Sequence, residues 1–227
     1  VIAALLRRCA SCAAIALLLL GGGAGAQRAP ADPWQADMQR FAAADRAQPP
    51  APGGIVFTGS SSIRLWSGLA EDFPGRNVLN RGFGGSAIAD ATRHVEQLVT
   101  RYSPHTVVLY AGDNDLAAGA TPAQVHADFD AFVRAVRARL PAARILFVSI
   151  KPSPARAALL PAMRQANALI RADIERGKNV GYVDVFTPML DAQGRPRAEL
   201  FLDDRLHMNR AGYALWVSII TPALDDR

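Results

Sequence analysis

Two short segments, far apart in the 227-residue chain, carry residue types that do chemistry together. The first is Gly59-Ser60-Ser61-Ser62, directly behind an apolar run. The second is Asp204-Arg205-Leu206-His207. A serine hydroxyl is a weak nucleophile near neutral pH and needs an adjacent base. Imidazole is the side chain whose ordinary pKa suits that task. A carboxylate beside the imidazole fixes its tautomer and stabilises the imidazolium. Asp204 lies three residues before His207, so one turn of backbone can present both side chains to one place. On residue type alone Ser60, Ser61 and Ser62 are all candidate nucleophiles, and capping a turn is the ordinary role of the remaining serines.

Acyl transfer also needs donors aimed at the developing oxyanion. Two further polar, glycine-rich segments can supply them: Asn80-Arg81-Gly82-Phe83-Gly84-Gly85-Ser86 and Ala111-Gly112-Asp113-Asn114-Asp115. Gly85 offers a backbone N–H with no side chain in the way. Asn114 offers a carboxamide N–H, and the nucleophile's own N–H is a third donor. Gly82 and Gly84 let the backbone come close to the site. Asn80 and Asp113 are candidates for hydrogen bonds that support it, and Asp115 reads as a turn cap.

These segments need a scaffold that brings them together. Apolar runs of strand length stand at 54–58, 77–81, 106–111, 144–150 and 180–186. Most are continuous rather than alternating, as strands buried on both faces are. Helical patterns separate them. Residues 88–99 read as a helix behind a Ser86 cap. Thr121-Pro122-Ala123-Gln124 is a capping box with proline at the first helical position, opening an apolar stripe from Val125 to Leu140. A third helix runs through Met163 and Ile174 and stops at Gly177. The last begins near Asn209 and carries Tyr213 and Trp216 before Pro222. The alternation predicts an α/β domain, a five-stranded parallel sheet with helices on both faces, and right-handed crossovers favour the order 2-1-3-4-5. Every polar segment then falls just past a strand's carboxyl end, at one edge of the sheet. The one long irregular connection, 187–208, ends in the Asp-x-x-His segment, and loops that long are usually functional.

With these blocks in order, the chain from Ile55 to Trp216 resembles the SGNH, or GDSL-type, hydrolases. In that register Phe57-Thr58-Gly59-Ser60-Ser61 is the first block, where the family usually reads Gly-Asp-Ser, and Ser61 is the nucleophile. The second block places the oxyanion glycine at Gly85, the third places the oxyanion amide at Asn114, and Asp204 and His207 form the family's Asp-x-x-His. The resemblance implies a flavodoxin-like three-layer αβα sandwich, no metal or other cofactor, and ester hydrolysis through an acyl-enzyme. Ser60 departs from the pattern by standing where the family has aspartate. That aspartate is not the catalytic acid, so the departure alters the turn's hydrogen bonding without excluding activity, and it leaves Ser60 and Ser62 as rivals to Ser61.

Other residues receive plainer readings. His94 and His126 fall on helices as surface residues, and His105 is a turn residue beside Pro104. Trp66 and Trp216 have core spacing. Arg64, Arg81 and Lys151 read as solvated rim charges, with a pocket favouring an anionic substrate as the alternative. Tyr110 and the loop after Lys151 are candidate pocket walls.

Composition bounds the rest. Half the residues are hydrophobic and the formal net charge is +5, which suits a globular protein. The two lysines, Lys151 and Lys178, and the scattered arginines make no dense basic run, so a nucleic-acid partner is not expected. Residues 1–26 read as a signal peptide: Arg7 and Arg8, an apolar stretch at 13–20, then Ala24-Gly25-Ala26 before Gln27. The stretch is short for a membrane span, so no stable membrane insertion is expected after cleavage. Cys9 and Cys12 would leave with it, and the remainder has no cysteine. Residues 27–53 read as a strap with a short helix at 34–44, and 54–227 as the hydrolase domain. The expected protein is an exported, periplasmic or extracellular, serine esterase acting on a small acyl ester or an acylated glycan. A lysophospholipase-like acylhydrolase and a non-catalytic glycan-binding module on the same fold are the alternatives.

Overall fold

Five apolar runs form five parallel strands: β1 (Ile55–Gly59), β2 (Val78–Gly82), β3 (Thr106–Tyr110), β4 (Arg144–Val148) and β5 (Val180–Val183), in the order β2-β1-β3-β4-β5. The computed structural model describes residues 32–177 and 179–225; the signal-peptide reading of 1–26 lies outside them. Pro33–Arg227 make one compact unit.

Helices cover both faces of the sheet. They are α1 (Gln35–Ala47), α2 (Ser61–Arg64), α3 (Leu69–Asp72), α4 (Ile88–Arg93), α5 (Val95–Leu98), α6 (Asp113–Ala117), α7 (Pro122–Arg137), α8 (Leu160–Ile174) and α9 (Arg210–Asp225). Side chains alternate across a strand, so on β3 Val107 and Leu109 enter one core while Val108 and Tyr110 enter the other. Phe129 and Phe132 of α7 and Met163 and Ile170 of α8 close the first layer. Trp66, Phe73 and Trp216 close the second. Burial on both sides explains why the strand sequences are continuously apolar.

Local signals account for several boundaries. The Thr121 hydroxyl accepts from the Gln124 N–H at 3.2 Å, and the Gln124 side chain accepts from the Thr121 N–H at 2.8 Å, the reciprocal pair of a capping box. The Asn209 side chain accepts from the Ala211 and Gly212 N–H groups, fixing the start of α9. Pro222 lies inside that helix instead of ending it. β5 stops short of 186 because the Ser149 hydroxyl takes the Val185 and Phe186 N–H groups, each at 3.0 Å.

Four expectations are corrected by the structure. The helix read over 88–99 breaks at His94, and that histidine is buried, not on the surface. Ser86 does not cap it: the Ser86 hydroxyl donates to the Phe83 carbonyl, and Asp90 and Asp115 accept from the Ala87 and Ile88 N–H groups. Arg81 is no rim charge, being 5 % exposed. It pairs with Asp45 of α1, donates to the Tyr102 hydroxyl at 2.8 Å and lies over the Phe41 and Tyr102 rings. With Met38 and Phe41 in the core, this network fixes the strap helix to the sheet.

Candidate active site

At the end of β1 the chain has almost no freedom. Gly59 has φ +118°, and a Cβ there would sit 1.8 Å from the Tyr110 carbonyl oxygen, so only glycine fits. The Ser60 N–H donates to that same oxygen at 2.9 Å. The backbone then turns into α2, with the Ser60 carbonyl accepting from Ile63 and Arg64 N–H groups. β2 presses on the turn from the other side: a Cβ on Gly82 would lie 2.3 Å from the Arg64 nitrogen. The Asn80 side chain donates to the Ile63 carbonyl at 2.7 Å and accepts from the Gly82 N–H. Asn80 thereby ties the helix after the turn to the neighbouring strand.

This geometry separates the three serines. Ser60 and Ser62 are 0 % and 1 % exposed, and neither hydroxyl has a hydrogen-bond partner among the described residues. Ser61 opens onto a cavity and stands 3.1 Å from His207 Nε2.

His207 comes from a tight, exposed turn. The Leu202 N–H donates to the His207 carbonyl and the Arg205 N–H to the Leu202 carbonyl, each at 2.8 Å, with Arg205 at φ 58°. Asp204 Oδ1 accepts from the Leu206 and His207 N–H groups, each at 2.9 Å. These two backbone donors are the main reason its carboxyl is held down to about 2. The other oxygen, Oδ2, lies 2.6 Å from His207 Nδ1. An ionised carboxylate at Nδ1 assigns the proton to that nitrogen, which leaves the Nε2 lone pair facing Ser61.

The donors converge on the same cavity, of about 420 Å³, which Gly85 and Asn114 line beside Ser61 and His207. Gly85 has φ +79°. Asn114 is held through both ends of its amide. Its Nδ2 donates to the Ser86 carbonyl at 3.0 Å, and its Oδ1 accepts from Arg156 at 2.8 Å. One amide hydrogen remains for the cavity. Arg156 also pairs with Asp113 at 2.8 Å, and Lys151 approaches Asp113 at 3.6 Å while donating to the Leu206 carbonyl at 3.1 Å. Lys151 is 1 % exposed, so the rim-charge reading is corrected for it too. Burial pushes its ammonium below the usual lysine range. It links the Asn114 segment to the His207 turn.

The five residues singled out in the sequence, Ser61, Gly85, Asn114, Asp204 and His207, therefore meet at one place. Tyr110 does not: it is fully buried under the strand ends and is not among the residues lining this cavity. Sequence reasoning missed Arg156, whose only signal was its place in the loop after Lys151. It also missed Asp37, which brings the strap helix into the cavity lining. Trp34, at the start of that helix, packs edge-on against Phe83 at 5.3 Å. Away from the cavity, His126, Asp130 and Asp173 carry ligand atoms within 4.8 Å of one another on α7 and α8. The His126 imidazole lies 3.6 Å from Asp173 and 3.9 Å from Asp130. Among the described residues no helix is long and apolar enough to cross a membrane.

Known proteins agree with this architecture. A family model described as the GDSL-like Lipase/Acylhydrolase family matches residues 53–215. The chain belongs to that family. It is 28 % identical over 194 residues to the platelet-activating factor acetylhydrolase IB subunit alpha1 of Homo sapiens, covering 79 % of this chain and 78 % of that one. A GDSL-like lipase from Bacteroides thetaiotaomicron superposes with a TM-score of 0.70 at 21 % identity, over 84 % of this chain and 98 % of that one. A carbohydrate esterase family 3 structure from Talaromyces cellulolyticus gives 0.59 at 17 % identity, over 76 % and 96 %. These two structural likenesses concern the fold.

Proposed function

We propose that the protein is a serine esterase that hydrolyses small acyl esters through an acyl-enzyme. The observation that carries this reading is the unbroken chain from Ser61 Oγ through His207 to Asp204, at 3.1 and 2.6 Å, opening on a cavity that also holds Gly85 and Asn114. His207 Nε2 takes the Ser61 proton as Oγ attacks the ester carbonyl carbon. The Asp204 carboxylate stabilises the imidazolium that forms. Negative charge gathers on the former carbonyl oxygen and meets the Ser61 and Gly85 N–H groups and the free amide hydrogen of Asn114. Collapse breaks the C–O bond, and His207 gives its proton to the leaving alcohol. Water, deprotonated by the same imidazole, then hydrolyses the acyl-enzyme and restores Ser61.

Short acyl groups fit best. Leu206 is the one large apolar side chain among the residues lining the cavity, so a long alkyl chain would find little apolar surface to bury. Relatives whose names carry acetylhydrolase or carbohydrate esterase activity support an acetyl ester, including one borne on a glycan. The pattern of residues 1–26 supports export, with Gln27 as the expected first residue of the secreted form; amino-terminal sequencing of that form checks it.

The enzyme is tested with p-nitrophenyl acetate. Wild-type protein is expected to turn over and Ser61→Ala to fall to background, a loss on the order of 10⁴-fold or more. A fluorophosphonate should label Ser61. Equal rates in wild type and Ser61→Ala, or a label on Ser60 or Ser62, would overturn the assignment.

A further inference from the structure

Arg64 is the last residue of the helix that Ser61 begins, and its side chain lines the catalytic cavity. Its guanidinium lies against the Gly84 backbone. A Cβ placed on Gly84 would lie 2.5 Å from Arg64 Nε and 3.1 Å from its Cζ. The guanidinium thus occupies the space that any side chain at 84 would take, next to the oxyanion glycine Gly85.

The charges around it are already matched. Arg156, the other arginine of the cavity, spends one nitrogen on Asp113 and another on Asn114. Asp37 at the cavity edge pairs with Arg40 at 2.7 Å, and Asp204 is engaged by His207. Among the described residues Arg64 has no acidic partner within ion-pair distance. An arginine fork at the edge of a polar cleft with its donors unspent suits a carboxylate or a phosphate, which it can bind through two parallel hydrogen bonds.

We propose that Arg64 is a specificity-determining residue that recognises an anionic group, a carboxylate or a phosphate, on the alcohol portion of the ester. Arg64 is exposed, so it stands at the mouth of the cavity. On this proposal the short acyl group takes the inner side and the leaving alcohol extends toward the mouth. The inference rests on the esterase reading and names its substrate class. It also revises the rim-charge reading: of Arg64, Arg81 and Lys151, the latter two are buried in ion-pair networks, and Arg64 alone is placed to meet a substrate.

The test compares kcat/KM for three acetyl esters of similar size: 4-acetoxybenzoate, 4-acetoxyphenyl phosphate and the neutral 4-acetoxybenzamide. Each is divided by its rate of alkaline hydrolysis, so that leaving-group reactivity cancels. Wild-type enzyme should prefer one or both anionic esters by about tenfold, the scale of one charge-assisted hydrogen-bonded contact. The better anionic ester identifies whether carboxylate or phosphate is the group recognised. In Arg64→Gln the anionic-to-neutral ratio should fall to near one, and Gly84→Ala, which displaces the guanidinium without removing it, should lower it as well. Arg139→Gln, an equal change of net charge on an exposed residue beyond α7, should keep the wild-type ratio. A wild-type ratio near one for both anions, or a ratio that survives in Arg64→Gln, would overturn the proposal. Hydrolysis of the neutral ester together with fluorophosphonate labelling tests the esterase reading by itself. If both fail, the esterase reading falls with the proposal; if they succeed without an anionic preference, only the proposal falls.

Discussion

The two arms of the triad are held by different means. The nucleophile sits on a strand-end turn where neighbouring backbones touch: Gly59 against Tyr110, Gly82 against Arg64. Its position follows from the packed sheet. The base sits on a surface turn that Lys151 and the Ala155 N–H touch at its carbonyls, and there Asp204 is 47 % and His207 26 % exposed at the side chain. There the geometry comes from local hydrogen bonds: two backbone N–H groups on Asp204 Oδ1 and the imidazole on Oδ2. One arm is positioned by strand-to-strand packing; the other is positioned chiefly by hydrogen bonds within a six-residue turn, with two further bonds from the loop after β4. Damage to the first should therefore appear as lost stability, and damage to the second as lost rate in a folded protein.

Asp204→Asn gives the sharpest version of that contrast. The amide oxygen can still accept from Leu206 and His207, so the turn should survive with Tm changed by no more than about 2 °C. Asn cannot hold the Nδ1 proton as a carboxylate does, and kcat should fall roughly 10³–10⁴-fold. A fall below tenfold would remove Asp204 from the triad. Because its carboxyl is held to about 2, it stays charged down to that pH, so loss of activity between pH 7 and pH 4 is not a titration of Asp204.

Gly59→Ala should do the opposite. The new methyl group would meet a carbonyl oxygen at 1.8 Å with φ at +118°, and the strand cannot move without breaking its pairing to β2 and β3. A loss of roughly 3–5 kcal/mol is expected in denaturant melts. A well-folded variant with a moderate rate defect would show that this arm is less constrained than its packing implies.

Much of this division was legible in the sequence. Continuous apolar runs mark a sheet buried on both faces, and the polar glycine-rich segments behind them mark its working edge. The Asp-x-x-His arm was legible because its geometry is local: three residues of spacing decide it. The Thr121 capping box was legible for the same reason. What the sequence did not disclose depends on contacts between distant elements. Arg156 acquires its role through Asn114, 42 residues away. Arg81 and Lys151 are buried because Asp45 and Asp113 arrive to pair with them. His94 is buried at the break between α4 and α5, beside Phe83. Arginine and lysine have no burial signal of their own, so in such cases the partner decides and the partner is far along the chain.

Asp115 tests the packed arm by pH. Its carboxyl is buried, accepts from the Ile88 N–H, and is pushed up to about 6 chiefly by burial. A folded-state value above the unfolded one favours the protonated form in the native state. Stability is then greatest below about pH 4 on this account and falls as pH rises through 6. The cost of the buried anion at pH 8 is on the order of 1–3 kcal/mol. Asp115→Asn, which keeps the acceptor and drops the charge, should be more stable by about that amount at pH 8. The gain should vanish near pH 4. An equal gain at both pH values would mean that the effect is not ionisation.

The smallest effect belongs to the exposed arm and completes the comparison. Arg205, like Gly59, has positive φ, at 58°. Left-handed backbone costs a non-glycine residue roughly 1–2 kcal/mol. Glycine would relieve that strain but would leave the unfolded chain more entropy to lose, an opposing term of roughly 0.5–1 kcal/mol. No strand packs on the exposed Arg205 side chain to amplify either term, and glycine keeps the carbonyl that accepts from the Ala155 N–H. Arg205→Gly should therefore change unfolding free energy by less than about 1 kcal/mol. Two residues with positive φ, one on each arm, then differ several-fold in what a side-chain change costs. The difference comes from what each would touch: a neighbouring strand at Gly59, solvent at Arg205. A loss at Arg205→Gly as large as that at Gly59→Ala would show that the His207 turn is held by packing after all.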